Sequence, residues 1–299
     1  VLVLKDGDPV LMPWVDKFPA ILEAWNPGQE DGNVVARLLF GVVNPSGKLP
    51  MTYSKLAGDI PTATVERYPG VTVNGIPTAY YSEGLKMGYR WYDAQNIAPL
   101  FPFGHGLSYT TFAYSNLQVS PAQSDGTTPF TVSFTVRNTG NKAGADVPQI
   151  YAGFASSYGE PPKRLVGFQK VLLNPGEQRQ VSVTIDPRAN AHPLSYWDTD
   201  NQLWSTMNGG ITFYLARSAR NIDSKIGATL VFPNSGKAND VNGDMQVNCL
   251  DLTSARLAIG TRTGQVGYLP TADIDHNGVI DVRDISAIAR TLPAGTVCK

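Results

Sequence analysis

The sequence holds few reactive residues and little charge. Two cysteines in 299 residues are too few for a scaffold built on disulfides. Three histidines, none grouped with the cysteines, leave no zinc-binding set, and no Ser-His-Asp arrangement can be assembled. Charged residues make up only 16%, and 24 Lys and Arg against 25 Asp and Glu leave a net charge of −1. That balance excludes the basic footprint of a nucleic-acid binder. Neither a G-x-G-x-x-G nor a P-loop pattern occurs, so no organic cofactor is expected. The apolar opening Val1–Leu4 is short and not preceded by basic residues, so it is neither a signal peptide nor a membrane span.

Core-forming residues are plentiful. Apolar residues reach 42%, enough for a core, and 29 Gly with 22 Pro favour short strands joined by turns. The length suggests about two domains. Val1–Leu4 reads as a buried parallel strand entered partway, which suggests a chain whose upstream portion is missing. A second apolar stretch follows from Pro19 to Trp25, then a turn at Asn26-Pro27-Gly28. Val34, Val35, Leu38 and Leu39 share one face of an expected helix from Asn33 to Phe40, which Gly41 ends. This is an α/β pattern too short for a complete open sheet. Between Thr111 and Leu230 the period changes to two, in FTVSFTV (Phe130–Val136), VSVTI (Val181–Ile185) and ITFYL (Ile211–Leu215). Turn signals such as Asn174-Pro175-Gly176 separate these runs, as in an antiparallel β-sandwich. Asn234–Lys237 then reads as a linker.

The tail carries an internal repeat: Asp240-Val-Asn242-Gly-Asp244 returns 33 residues later as Asp273-Ile-Asp275-His-Asn277. A calcium loop of the EF-hand kind needs oxygen ligands at positions 1, 3, 5, 7, 9 and 12, with a backbone carbonyl at 7. The first copy offers Asp240, Asn242, Asp244, the Gln246 carbonyl, Asn248 and Asp251. The second offers Asp273, Asp275, Asn277, the Val279 carbonyl, Asp281 and Asp284. All seven acidic residues beyond position 238 fall on these positions, whereas a merely solvated face would scatter them. Two Ca2+ sites are therefore expected, and the carboxylates repel one another without metal, so binding and folding should be coupled.

This tail resembles a type I dockerin, with Asp at position 12 and a helix after each loop. The resemblance implies calcium binding and a cohesin as partner. Met245 stands at position 6 of the first loop, where the second keeps Gly278. The pairs at the partner-contacting positions are Cys249-Leu250 and Val282-Arg283. Both cysteines, Cys249 and Cys298, lie here; joined, they would close the module and add about 2–4 kcal/mol, and otherwise they are two buried thiols. A disulfide and calcium both suit an extracellular protein.

Upstream, WNPGQEDGNVVARLLFGVVNPSGKLPMTY (Trp25 to Tyr53), YYSEGLKMGYRWYD (Tyr80–Asp93) and PLFPFGHGLSYTTFAYS (Pro99–Ser115) resemble glycoside hydrolase family 3, the β-glucosidase and β-xylosidase family. VSFTVRNTGNKAGADVPQIY and PKRLVGFQKVLLNPGEQ are similar to the fibronectin type III-like domain of the same enzymes. The resemblance covers residues 1–222. It implies retaining hydrolysis of terminal β-glycosides by two carboxyl groups about 5 Å apart. In the family the nucleophilic Asp and the acid/base Glu lie upstream of the segment matched here, and neither motif occurs in this chain, so an isolated chain is expected to be inactive.

Glu30 and Glu83 are the carboxylates that a substitute acid/base pair would use. Their plainer roles are a cap for the helix near Asn33 and an ion pair in the Arg90 region. Gly28, Gly32, Gly84 and Gly104 read as backbone devices, and His105, His192 and His276 as structural or loop residues. Trp91, Tyr92, Trp197 and Trp204 read as packing groups sooner than as sugar platforms. The expected fold is multidomain. A partial α/β sandwich (1–108) precedes an all-β, immunoglobulin/fibronectin III-like sandwich (109–230), a linker (231–238) and a small α-helical dockerin with two calcium loops (239–299). The leading expectation is the C-terminal portion of a secreted β-glycosidase that acts on β-linked oligosaccharides and attaches to a cohesin. The alternative is a non-catalytic, calcium-dependent anchoring protein.

Overall fold

The computed structural model describes the chain except for residues 127, 156–157, 200–202, 208, 231–238, 242–246, 294 and 299. The expected linker and the first-loop positions Asn242, Asp244, Met245 and Gln246 therefore lie outside the described residues. The chain divides into two compact units. The first comprises Val1–Gln118, Val132–Val183 and Thr212–Ile226; the second comprises Val119–Thr131, Thr184–Ile211 and Gly227–Lys299. Among the described residues no helix is long and apolar enough to cross a membrane.

The first unit opens with β1 (Leu2–Leu4) and β2 (Ile21–Glu23), which pair in parallel with Leu2 opposite Ile21. Both strands are half-buried, where a fully buried strand was expected, because the sheet they form holds only these two strands. A 3-10 turn at Gly28–Glu30 leads into α1 (Asp31–Leu39), which Gly41 follows with φ +71. A small hairpin of β3 (Val71–Val73) and β4 (Ile76–Thr78) precedes α2 (Tyr89–Ala94).

The sandwich strands follow: β5 (Phe112–Ser120), β6 (Gln123–Ser124), β7 (Phe130–Asn138), β8 (Gly144–Asp146) and β9 (Gln149–Gly153). Next come β10 (Arg164–Phe168), β11 (Val171–Leu173), β12 (Gln178–Ile185), β13 (Ser195–Asp198), β14 (Leu203–Thr206), β15 (Gly209–Ala216) and β16 (Ile222–Leu230). One sheet runs β10–β9–β15–β16 and another β12–β7–β5. The period-two runs bury alternate residues as expected: Val132, Phe134 and Val136 on β7, and Phe213 and Leu215 on β15. Each such side chain contributes about 1.5–3 kcal/mol of apolar burial.

Two buried polar residues hold this unit together. Asn138 is fully buried yet saturated: its Nδ2 donates to the Lys142 and Leu173 carbonyls, and its Oδ1 accepts from Thr110 Oγ1 and the Gly140 N–H. Asp93, at the end of α2, pairs with Lys163 just before β10 and with Arg220 just before β16, its side chain 4% exposed. It thus ties the α/β portion to the strands of its own unit. Gly104 (φ +81) lets the chain pass close to Gln149, whose Oε1 would lie 2.2 Å from any added Cβ; Gln149 Nε2 donates to the Gly104 carbonyl.

In the second unit the end of β16 pairs in parallel with β6, Leu230 opposite Ser124. β13 and β14 form an antiparallel hairpin that sets Trp197 opposite Trp204. The tail contributes α3 (Cys249–Ala258) and α4 (Val282–Thr291). Its core is small: Val241, Ala255, Ala258, Ala272, Ile280 and Ile288.

Candidate metal centre

The two tail helices begin in the same way, because the sequence repeat places the same groups at each start. Asn248 caps α3 by accepting from the Leu250 N–H, and Asp251 reaches back to the Asn248 N–H. Asp281 caps α4 by accepting from the Arg283 N–H, and Asp284 reaches back to the Asp281 N–H. Both are capping boxes. The second oxygen of each position-12 carboxylate returns to the loop start: Asp251 Oδ1 accepts from the Val241 N–H, and Asp284 Oδ1 from the Ile274 N–H, both at 2.7 Å. Asp240, Asp251, Asp273 and Asp284 are all buried, an unusual place for carboxylates in so small a core.

The second loop is described in full. Asp273 accepts from the Asn277 and Gly278 N–H groups and from the Tyr268 hydroxyl, while Asn277 Oδ1 accepts from the Val279 N–H. Gly278 takes φ +82, the left-handed turn that position 6 requires. The Ile280 N–H donates to Thr261 O and the Thr263 N–H to Gly278 O, with Val279 between them. One ligand oxygen each from Asp273, Asp275 and Asp284 lies within 4.8 Å of the others. Burial first, and then neighbouring carboxylates, push Asp275 and Asp284 above the ordinary Asp value. Three hard oxygens held this close in low dielectric suit a divalent cation with oxygen preference, so the donor set fits calcium. Of the first loop, Asp240, Asn248 and Asp251 are described and occupy the corresponding places. Cys249, between these last two, is bonded to Cys298, with a Cα separation of 5.3 Å. Leu250, Val282 and Arg283 are exposed.

The carboxylates weighed for acid/base work sit elsewhere and do other things. Glu30 occupies the N-cap position of α1 without bonding a backbone N–H; its side chain accepts from Asn33 Nδ2 instead. The expected cap is thus not formed, and Glu30 bonds a side chain of the first turn in its place. Glu83 is 6% exposed and lies 3.6 Å from Arg67, not beside Arg90 as expected, since the β3–β4 hairpin between them returns the chain to Arg67. Arg67 in turn stacks over Trp91, whose indole N–H donates to the Asp59 carbonyl. His105 stacks on Phe101, and burial, then Lys48, hold it below the usual imidazole value. Gly32 lies in the first turn of α1 with open space around it, so its lack of a side chain is not used there. Trp197 and Trp204 are 45% and 36% exposed, so of the two packing roles expected, in the sandwich core or at a domain interface, the core does not hold for them.

Comparison with known proteins matches three stretches of the chain. Residues 1–109 match the glycosyl hydrolase family 3 C-terminal domain, 146–219 the fibronectin type III-like domain, and 238–293 the dockerin type I domain. Thermostable beta-glucosidase B of Acetivibrio thermocellus is 43% identical over 223 residues, 74% of this chain and 28% of that protein. A probable beta-glucosidase I of Aspergillus flavus is 40% identical over 70% of this chain and 25% of its own length. Among solved structures, DesR, a beta-glucosidase from Streptomyces venezuelae in complex with D-glucose, superposes with a TM-score of 0.70 at 38% identity, covering 77% of this chain and 28% of that one. Beta-glucosidase 3B from Thermotoga neapolitana gives 0.67 at 36% identity, covering 76% and 30%. The chain thus spans about a quarter of the length of the curated relatives it matches. Type I dockerin domains as a class bind calcium, and such domains usually occur in extracellular or complex-attached proteins. In chain order, then, the chain carries stretches that match a glycosyl hydrolase family 3 C-terminal domain, a fibronectin type III-like domain and a type I dockerin domain.

Proposed function

We propose that the chain is the supporting and attaching portion of an extracellular β-glucosidase-type enzyme, joined to a cohesin through a tail that binds two calcium ions. The observation that carries this reading is the duplicated carboxylate frame, in which Asp251 and Asp284 each bind the start of their own loop and the start of the following helix.

In the second loop Asp273, Asp275, Asn277, Asp281 and Asp284 would hold the ion with the Val279 carbonyl. In the first, Asp240, Asn248 and Asp251 would act with Asn242, Asp244 and the Gln246 carbonyl. Bound calcium supplies positive charge that offsets the buried carboxylates and ties each loop to its helix. The residues do the orienting: Gly278 turns the loop, and each position-12 carboxylate fixes its helix start. Leu250, Val282 and Arg283, exposed beside these starts, form the proposed contact face for the cohesin.

The family 3 C-terminal domain supports β-glycoside hydrolysis by a retaining mechanism in the whole enzyme, whose catalytic carboxyl groups are not among residues 1–299 in this reading. Glu30 and Glu83 are engaged by Asn33 and Arg67. Calorimetric titration of the purified chain should show two calcium ions bound, and a type I cohesin should be retained only with calcium present. An aryl β-glucoside should not be turned over. Calcium-independent cohesin retention, or turnover that Glu30→Gln or Glu83→Gln abolishes, would refute the respective part.

A further inference from the structure

The two aspartate loops of the tail are alike in their ligand positions and unlike in what holds them. The segment 260–263 runs beside the second loop. The Gly260 N–H donates to Ile280 O at 2.7 Å, the Ile280 N–H to Thr261 O at 3.0 Å and the Thr263 N–H to Gly278 O at 2.9 Å, while Arg262 and Val279 form an antiparallel bridge. The Tyr268 hydroxyl adds a bond to Asp273. The described part of the first loop hangs instead on the second repeat and on the chain end. Asn239, just before Asp240, donates from Nδ2 to Ala287 O and Thr291 Oγ1 of α4, each at 3.4 Å, and Thr271 Oγ1 donates to Val241 O at 2.8 Å. The exit of this loop is held covalently, by the Cys249–Cys298 bond across 49 positions.

That bond sits where it bears on ligand groups. Cys249 is the first residue of α3; it follows Asn248 at position 9 and stands two residues before Asp251 at position 12. The first loop has Met245 at position 6, where the second has Gly278 at φ +82, so its sequence gives the turn less freedom. A covalent tie that fixes the Asn248–Asp251 segment before an ion arrives removes an ordering cost from binding. Cutting the tie returns that cost to the ion at the first loop, while the bonds between the second loop and residues 260–268 stay in place. Both cysteines are half-buried and Val297 beside Cys298 is 82% exposed, so a small thiol reaches the bond. We infer that the Cys249–Cys298 disulfide is a redox control on the first calcium site alone, which binds tightly when the bond is oxidised and weakly when a dithiol has reduced it. One thiolate of the dithiol attacks a protein sulfur, and the second closes on the mixed disulfide. Two electrons and two protons thus pass to Cys249 and Cys298 as thiols, and the dithiol leaves as a cyclic disulfide. The inference rests on the two-calcium reading and adds regulation to it. Because the two equilibria are linked, calcium resists reduction by the same factor by which reduction weakens calcium binding at that site.

The test is calorimetric titration of the full chain with calcium, oxidised and then reduced by a dithiol. Reduction should weaken one of the two sites tenfold or more and the other less than threefold. The double variant Cys249→Ser/Cys298→Ser should reproduce the reduced curve with no reductant present, which separates the effect of the bond from any effect of the reagent. Asp275→Asn, which cripples the second loop, should leave a site that still responds to reduction; Asp240→Asn, which cripples the first, should leave one that does not. A second readout needs no variant: the dithiol concentration that half-reduces the wild-type bond, read by thiol labelling, should rise tenfold or more when calcium is saturating. Equal weakening of both sites would overturn the inference and make the bond a general staple of the tail. So would calcium affinities unmoved by reduction, or a half-reduction point unmoved by calcium, and either result would leave the metal reading intact. An oxidised chain that takes up no calcium would overturn the metal reading and the control together.

Discussion

The sandwich and the tail of this protein reach order by opposite means. The sandwich buries Phe134, Val136, Phe213 and Leu215 completely, and its buried polar groups, Asn138 and Asp93, have partners within the fold. The tail has a core of small side chains such as Ala255, Ala258 and Ala272, and it buries four aspartates. An apolar core closes on its own, whereas buried carboxylates in quantity call for a cation. On the proposed reading, the difference is between a region whose core closes without metal and a region whose folding depends on an ion.

Four experiments would break or sharpen that contrast. Removing calcium should have the largest effect: with a chelator the tail should lose its helical signal entirely, while the strand signal of the sandwich remains. Far-ultraviolet circular dichroism with and without chelator checks this. Next, Asp93→Ala should cost the sandwich about 3–5 kcal/mol, because it leaves Lys163 and Arg220 without their shared partner; Phe134→Ala should cost a similar amount through its cavity. Urea denaturation would register both, and neither should alter calcium affinity. Reduction of the Cys249–Cys298 bond should be milder, destabilising the tail by about 2–4 kcal/mol and leaving the sandwich untouched, as read by thermal melts with and without reductant.

The smallest effect concerns pH. His105 is held below the ordinary imidazole value, first by burial and then by Lys48. The unfolded chain therefore takes up the proton before the folded one, so stability is full above about pH 6.5 and declines as pH falls through that value toward the depressed folded one. Melts of calcium-saturated protein between neutral and mildly acidic pH should show this decline in the sandwich transition, and His105→Phe should flatten it.

Much of this contrast was legible in the sequence, because its signals are local. FTVSFTV already alternates as β7 does, Gly41 ends α1 with the positive φ a helix stop favours, and the aspartate repeat identifies the tail. The family 3, fibronectin-like and dockerin resemblances were carried by runs of adjacent residues and agree with the comparisons. What stayed hidden depends on partners far away in sequence. Asp93 meets Lys163 and Arg220 across 70 and 127 positions, and no local pattern announces such a pairing. Asn138 sits in a turn signal, Asn138-Thr139-Gly140, that marks a loop without showing that its side chain fastens Thr110 and Leu173. Glu83 met Arg67 where Arg90 was expected, since only the folded segment decides which arginine is near. The exposure of Trp197 and Trp204 was equally unreadable, because an aromatic pair looks the same in a core strand and on an open hairpin.

The most direct measurement is differential scanning calorimetry of the intact chain at several free calcium concentrations. The account predicts two transitions, one that stays fixed and belongs to the sandwich, and one that rises with calcium and vanishes under chelator. A single transition unmoved by calcium, or a tail transition that persists in full without the ion, would contradict it.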